Sequence, residues 1–163
     1  MTSSGLMDIV EISPHMNAEE YVEILEEVLK PSARQIYPEE QYPIIKIAQD
    51  NSAVHTSRMV QAWFEANPDF EQLPWPAKSP DLNPIENVWA KMIESWIAGE
   101  LRTKEALRNH VHQVWDELTL RPNYTENLVT SMPRRLQLVI QNDGFWIPED
   151  VGDIRKRGRL PAA

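Results

Sequence analysis

At 163 residues, with 42% hydrophobic and 25% charged residues, the chain is long enough for one domain with a real core. It has no cysteine, which excludes a disulfide framework or a thiolate metal site and fits a reducing compartment; no apolar run approaches a membrane span and no secretion signal opens it, so neither a membrane partner nor secretion is expected. The net charge of −9 gives no general attraction to phosphate backbones, so the chain by itself is expected to bind DNA weakly.

Residues 6–12, with Ile9, Val10 and Ile12, read as a short strand. A helix follows, with Asn17 as its cap and Glu20 three residues on in a capping box. Tyr21, Ile24, Leu25, Val28 and Leu29 recur at helical spacing, and Pro31 is expected to stop the run. Residues 44–48 read as a strand buried on both faces, with Asp50 just past its carboxyl end. Thr56 or Ser57 begins the next helix, whose apolar face is Met59, Val60, Trp63 and Phe64 and which Pro68 closes.

Residues 70–73 suit a brief strand, and Pro74, Pro76, Pro80 and Pro84 make the next segment a stiff, extended loop. Asn83 caps a helix with Pro84 first and Glu86 third, and Ile85, Val88, Trp89, Met92, Ile93 and Trp96 form its stripe up to Gly99. Thr103 starts another, with Leu107, Val111, Val114, Trp115 and Leu118 inward. A last helical region spans residues 125–142, broken at Pro133 and stopped by Gly144, before a basic tail that is expected to be disordered. The order is that of an α/β sheet extended by a helical C-terminal part.

Ligands gather at the carboxyl ends of strands in open α/β sheets, where Asp50 falls. Glu86, in a first helical turn, lies about 100° around the wheel from Ile85, at the border of the apolar arc. Two such oxygen donors suit Mg²⁺ or Mn²⁺. Each also has a plain explanation: Glu86 completes an Asn83-x-x-Glu86 capping box, and Asp50-Asn51 makes an ordinary turn.

The flanking segments add to that. Gln49-Asp50-Asn51, His55-Thr56-Ser57-Arg58, Leu73-Pro74-Trp75-Pro76-Ala77, the run from Ser79-Pro80-Asp81 through Asn87-Val88-Trp89, and Ser131-Met132-Pro133-Arg134-Arg135 resemble the catalytic domain of mariner-type transposases. Tyr21-Val22-Glu23-Ile24-Leu25 looks like the helix that precedes the second catalytic strand in that family. The resemblance implies a partial RNase H-like fold over residues 1–145, a mixed sheet flanked by helices with a helical extension, and leaves 146–163 as the tail. It also implies an Asp-Asp-Glu (or Asp) triad binding two Mg²⁺ or Mn²⁺ ions. Asp50 matches the second acid and Glu86 the third, with 35 residues between them.

The family's first Asp lies on an upstream strand. Only Asp8 precedes the first helix, and the 41 residues between it and Asp50 leave no room for the intervening strands, so Asp8 is not assigned. The family's helix-turn-helix region has no counterpart either, and Ser52-Ala53 stands where it usually has Ala-Pro. The resemblance thus implies a transposase-derived endonuclease domain, nuclear and DNA-associated in its full-length ancestor. The domain is expected to bind metal weakly, to be catalytically incomplete, and to need no small-molecule cofactor. The alternative is a captured fragment acting as a protein-interaction module, self-associating through an open sheet edge.

Asn51, His55 and Trp75 are the candidate nucleic acid contacts. Contact of His55 with a phosphate or with a ligand of the metal competes with helix-start capping or solvent exposure, and base stacking by Trp75 competes with packing under its loop. His110 and His112, two apart on a helix, share no face and form no metal pair. Four tryptophans at helical spacing, Trp63, Trp89, Trp96 and Trp115, read as core.

Overall fold

The caps decide where the helices begin. Asn17, Ser57 and Thr103 each accept, through the side chain, the amide three residues on: Glu20, Val60 and Ala106. The computed structural model describes residues 1–96 and 103–145, so Gly99 and the basic tail at 146–163 lie outside the described residues. The elements are α1 (Ala18–Ile24), a π turn (Leu25–Leu29), α2 (Lys30–Ile36), β1 (Ile45–Ile47), α3 (Arg58–Ala66) and β2 (Phe70–Gln72). A 3₁₀ turn (Pro80–Leu82), α4 (Ile85–Glu94), α5 (Lys104–Thr119), α6 (Tyr124–Thr130) and α7 (Met132–Gln141) follow. No helix among the described residues is long and apolar enough to cross a membrane.

These elements fall into two compact units, one spanning Met7–Lys78 and the other combining Met1–Leu6 with the chain from Ser79 onward. In the first unit β1 and β2 pair in parallel, Ile45 opposite Phe70 and Ile47 opposite Gln72. Leu25, Ala33, Val60, Trp63 and Phe70 form its core, with Ile45 and Ile47 against it. In the second, α4 packs on α5 and α6 on α7, around the buried Leu82, Val88, Met92, Trp115 and Leu118.

Pro31 does not stop the first helix. The chain passes through the π turn, where the Lys30 amide reaches back to the Leu25 carbonyl, and continues to Ile36. Widening the turn ahead of a proline relieves the clash between its ring and the carbonyl four residues back, so the helix survives. Glu20 turns back to the Ser13 amide (2.6 Å) and hydroxyl, so only the Asn17 half of the capping box forms.

Residues 6–12 form no strand. Val10 and Ile12 are exposed, and the only bridge near them is Thr2 to Gly5. A strand exists only with a ladder partner, and this segment has none among the described residues. The strand at 44–48 is shorter than expected and not buried on both faces: Lys46 points outward toward Glu71 at 3.9 Å, and Ile44 is exposed.

The second unit departs in three places. Pro84 takes the cap position of α4, and the main-chain carbonyl of Asn83 accepts the Glu86 amide at 3.1 Å. Ile93, 77% exposed, and Leu107 leave the apolar stripe, because the buried arc of α4 centres on Val88 and Met92 and that of α5 on Val114, Trp115 and Leu118. The last helical region breaks at Ser131, with Pro133 inside the first turn of α7, where a missing amide costs nothing. Gly144 ends α7 at φ +82°, its amide on the Val139 carbonyl at 2.8 Å.

Candidate metal and nucleic acid site

Asp50 lies three residues beyond β1, where the chain turns toward α3. Its Oδ1 accepts the Ser52 amide at 3.0 Å and pairs with Nδ1 of His55 at 2.7 Å. A carboxylate only accepts, so the proton of this contact belongs to His55. Partial desolvation pushes the Asp50 carboxyl up. The bonds from Ser52 and His55, with the His55 charge, outweigh it, and the net shift is below the ordinary carboxylate value. Asp50 is therefore ionised at neutral pH while its side chain stays 62% exposed.

Behind it is a buried layer that the sequence did not reveal. Gln49 is buried; its Oε1 accepts the Tyr21 hydroxyl at 2.6 Å and its Nε2 donates to the His55 carbonyl at 3.4 Å. The Tyr21 ring lies 4.4 Å from that of His55. Helical spacing places Tyr21 on the apolar stripe of its helix, and nothing in that spacing shows where its hydroxyl goes. Burial, then the nearby Asp50 charge, push the Tyr21 phenol up to about 12.

That shift carries a pH dependence. An unfolded tyrosine releases its proton near pH 10, so between pH 10 and about 12 the native state holds the extra proton and stability falls as pH rises. Tyr21→Phe should cost about 1 kcal/mol at pH 8, for one hydrogen bond. It should then show a flatter loss above pH 10 than the parent, by up to about 2 kcal/mol at pH 11.5. Urea titrations across that range check this, and parallel curves for the two proteins would refute it.

Asn51 donates its side-chain amide to the Trp75 carbonyl at 2.8 Å, tying the loop after β1 to the proline-rich segment. Trp75 itself is half-buried. Asn51, His55 and Trp75 thus lie in the same unit as Asp50.

Glu86 belongs to the other unit. It stands exposed in the first turn of α4, after the 3₁₀ turn whose Asp81 and Leu82 are buried. Next to it, Asn87 accepts at Oδ1 from Nη2 of Arg135 at 2.7 Å. Arg135 is only 5% exposed; it also donates from Nη1 to the Asp81 carbonyl at 3.0 Å and from Nε to the Ser131 hydroxyl at 2.9 Å. Burial lowers its guanidinium and the Asp81 charge opposes that. The sequence shows two adjacent arginines, and only the fold separates exposed Arg134 from buried Arg135.

The remaining candidates are structural. His110 places Nε2 on the Met92 carbonyl at 2.7 Å and its ring edge-on to Trp96, while His112 faces outward. Asp8 accepts the Ser32 hydroxyl, which ties the N-terminal segment to α2. Among the described residues, no three His, Cys, Asp or Glu side chains form a group able to hold a metal ion. The donor chemistry of Asp50 and Glu86 nevertheless fits a hard cation: both are exposed carboxylates, and Asp50 is held ionised.

A family model described as DDE superfamily endonuclease matches residues 1–108. The chain is 34% identical over 127 residues to the transposable element Tcb2 transposase of Caenorhabditis briggsae, covering 77% of this chain and 43% of that protein. It spans about half the length of the curated relatives it matches.

The Mos1 transposase catalytic domain, solved with raltegravir and Mg, matches with a TM-score of 0.74 at 22% identity, over 90% of this chain and 73% of that one. A Mos1 paired-end complex with the left transposon end matches at 0.75 and 22%, over 90% and 42%. At that identity the likeness shows the fold, and it is the fold expected from the motifs around Asp50 and Glu86. The chain belongs to the DDE superfamily endonuclease family, and its fold is that of the Mos1 mariner transposase catalytic domain.

Proposed function

We propose that Asp50 and Glu86 are two carboxylates of a metal-dependent phosphoryl-transfer site acting on DNA, in the nucleus, and that the 163 residues alone hold Mg²⁺ or Mn²⁺ only weakly. The observation that carries this reading is the state of Asp50. It sits past a strand end, one carboxylate oxygen held by Ser52 and His55, and remains open to solvent. Bound there, the cations would supply a lowered pKa for the attacking water or 3′-hydroxyl and a stabilised leaving oxygen. The chain's own residues orient the donors: His55 and Ser52 hold one Asp50 oxygen, Gln49 and Tyr21 fix His55, and Asn51 pins the proline-rich segment. The 163 residues offer two positions of the triad, so on this reading they do not cut DNA alone.

Mn²⁺ titration followed by water-proton relaxation tests this. A dissociation constant on the order of millimolar or weaker is expected, further weakened in Asp50→Asn and in Glu86→Gln, with no nicking of supercoiled plasmid. Binding unchanged in both variants would remove the ligand assignment. Plasmid nicking that disappears in both variants would keep the ligands and overturn the incompleteness.

A second reading, a protein-interaction module, has its own support in the exposed apolar side chains Val10 and Ile12 and in the exposed Ile44 next to β1 of the two-stranded sheet. Sedimentation at several concentrations separates the two, since a chain that stays strictly monomeric counts against the module.

A further inference from the structure

We infer that Arg135 is a positioning residue for Glu86: its buried guanidinium, bonded to the Asp81 carbonyl and the Asn87 side chain, fixes the start of α4 from which Glu86 projects. The two anchor points bracket Glu86 in sequence, Asp81 five residues before it and Asn87 directly after. Arg135 reaches them from a separate helix, 54 and 48 positions along the chain. The third bond, to the Ser131 hydroxyl, fixes the guanidinium itself, because Ser131 donates in turn to the Leu128 carbonyl at 2.6 Å.

An apolar side chain of similar volume would fill this space at lower desolvation cost. What the arginine adds is geometry. A planar fork with donors on fixed vectors holds two acceptors in one relative position, whereas a lysine ammonium, a compact charge with rotatable donors on a flexible stem, fixes no such geometry. The segment it holds is a proline-bounded turn running into a helix, with no side-chain cap on Pro84. Main-chain bonds such as that from the Glu86 amide to the Asn83 carbonyl, 3.1 Å, shape the turn locally, and the arginine adds its tie to a separate helix.

The importance of Glu86 placement for metal binding rests on the function proposed above, and the experiment separates the two. In the full chain, Mn²⁺ broadening of amide NMR signals within residues 84–88, where every residue but Pro84 carries an amide proton, and at residues 50–52 is compared in the parent, Arg135→Lys, Asn87→Ala and Glu86→Gln. Asn87→Ala is the milder change, leaving Arg135 its Ser131 and Asp81 partners. Arg135→Lys is expected to weaken the effect at 84–88 about 10-fold while 50–52 responds as in the parent, even though the lost buried hydrogen bonding lowers the melting temperature. Asn87→Ala should weaken it to a smaller degree.

Parent-like broadening at 84–88 in Arg135→Lys overturns the inference. So does a uniform loss at both segments that tracks a fallen melting temperature, since that is what a merely structural arginine would give. If the parent itself shows no Mn²⁺ effect at 84–88, the functional reading fails. The positioning role is then decided by amide exchange at Glu86 and Asn87. Exchange about 10-fold faster in Arg135→Lys or Asn87→Ala, the loss of one hydrogen bond, with α5 unchanged, sustains it; parent-like exchange in both ends it.

Discussion

Phe70→Ala is expected to destabilise the first unit by about 3–5 kcal/mol, the range for removing a fully buried aromatic ring. Phe70 is 2% exposed and begins β2 opposite Ile45, so its ring lies where strand, α3 and α2 meet. The ring meets that of Trp63 at 5.6 Å between centroids, and the Arg34 guanidinium lies over it at 5.1 Å. Arg34 cannot follow the cavity inward, because it is bonded to the Asp69 carboxylate at 2.8 Å and the Tyr42 carbonyl at 2.7 Å. A site that cannot collapse bears the full cavity cost. Met59→Ala, on the half-exposed edge of α3, is the control and should cost less than about 1 kcal/mol. The urea midpoint measures both, and hydrogen exchange places the loss in α1, α2 and α3. A cost for Phe70→Ala no larger than that of Met59→Ala would mean that the ring is not the centre of this core.

Trp115→Ala should cost the second unit a similar amount, about 3–5 kcal/mol. Trp115 is 8% exposed on α5 and stacks on Trp89 of α4, centroids 6.1 Å apart and planes 24° from parallel. Trp89 is 38% exposed, so its own truncation removes less buried surface and should cost about 1–2 kcal/mol. The double variant then reports the stacking alone. A coupling of about 0.5–1.5 kcal/mol is expected in circular dichroism melts, and strict additivity would show that the rings are merely adjacent.

Local signals were read well because their physics is local. Asn17, Ser57 and Thr103 cap where a small oxygen-bearing side chain precedes an apolar repeat, and Asp50 follows β1 as the strand boundary implied. The errors begin where a distant partner decides. The apolar residues at 6–12 matched a strand pattern, but ladder bonds come from elsewhere in the chain. The wheel put Ile93 and Leu107 on an apolar arc, yet only the neighbour packed against each helix fixes which part of that arc is covered. For the candidate site, the motifs held the two carboxylates and also Tyr21, Gln49 and Arg135, but not what those three touch. The supporting layer depends on Tyr21 meeting Gln49 across 28 positions, and Arg135 meeting Asn87 across 48. Neither contact leaves a mark in local spacing.

The π turn at Leu25–Leu29 sets a rotational phase. One extra residue in a helical turn rotates everything on one side of it by about 100° relative to the other. Tyr21 lies before that insertion, while Ser32 and Ala33, buried in α2, lie after it. Removing a single residue from 25–29 would restore even α-helical pitch but force a choice between them. With α2 seated in the core, the Tyr21 hydroxyl would swing away from Gln49; with Tyr21 in place, Ala33 would leave the core. The irregular turn thus works as a clocking device that lets one helix serve the core and the Asp50 loop together.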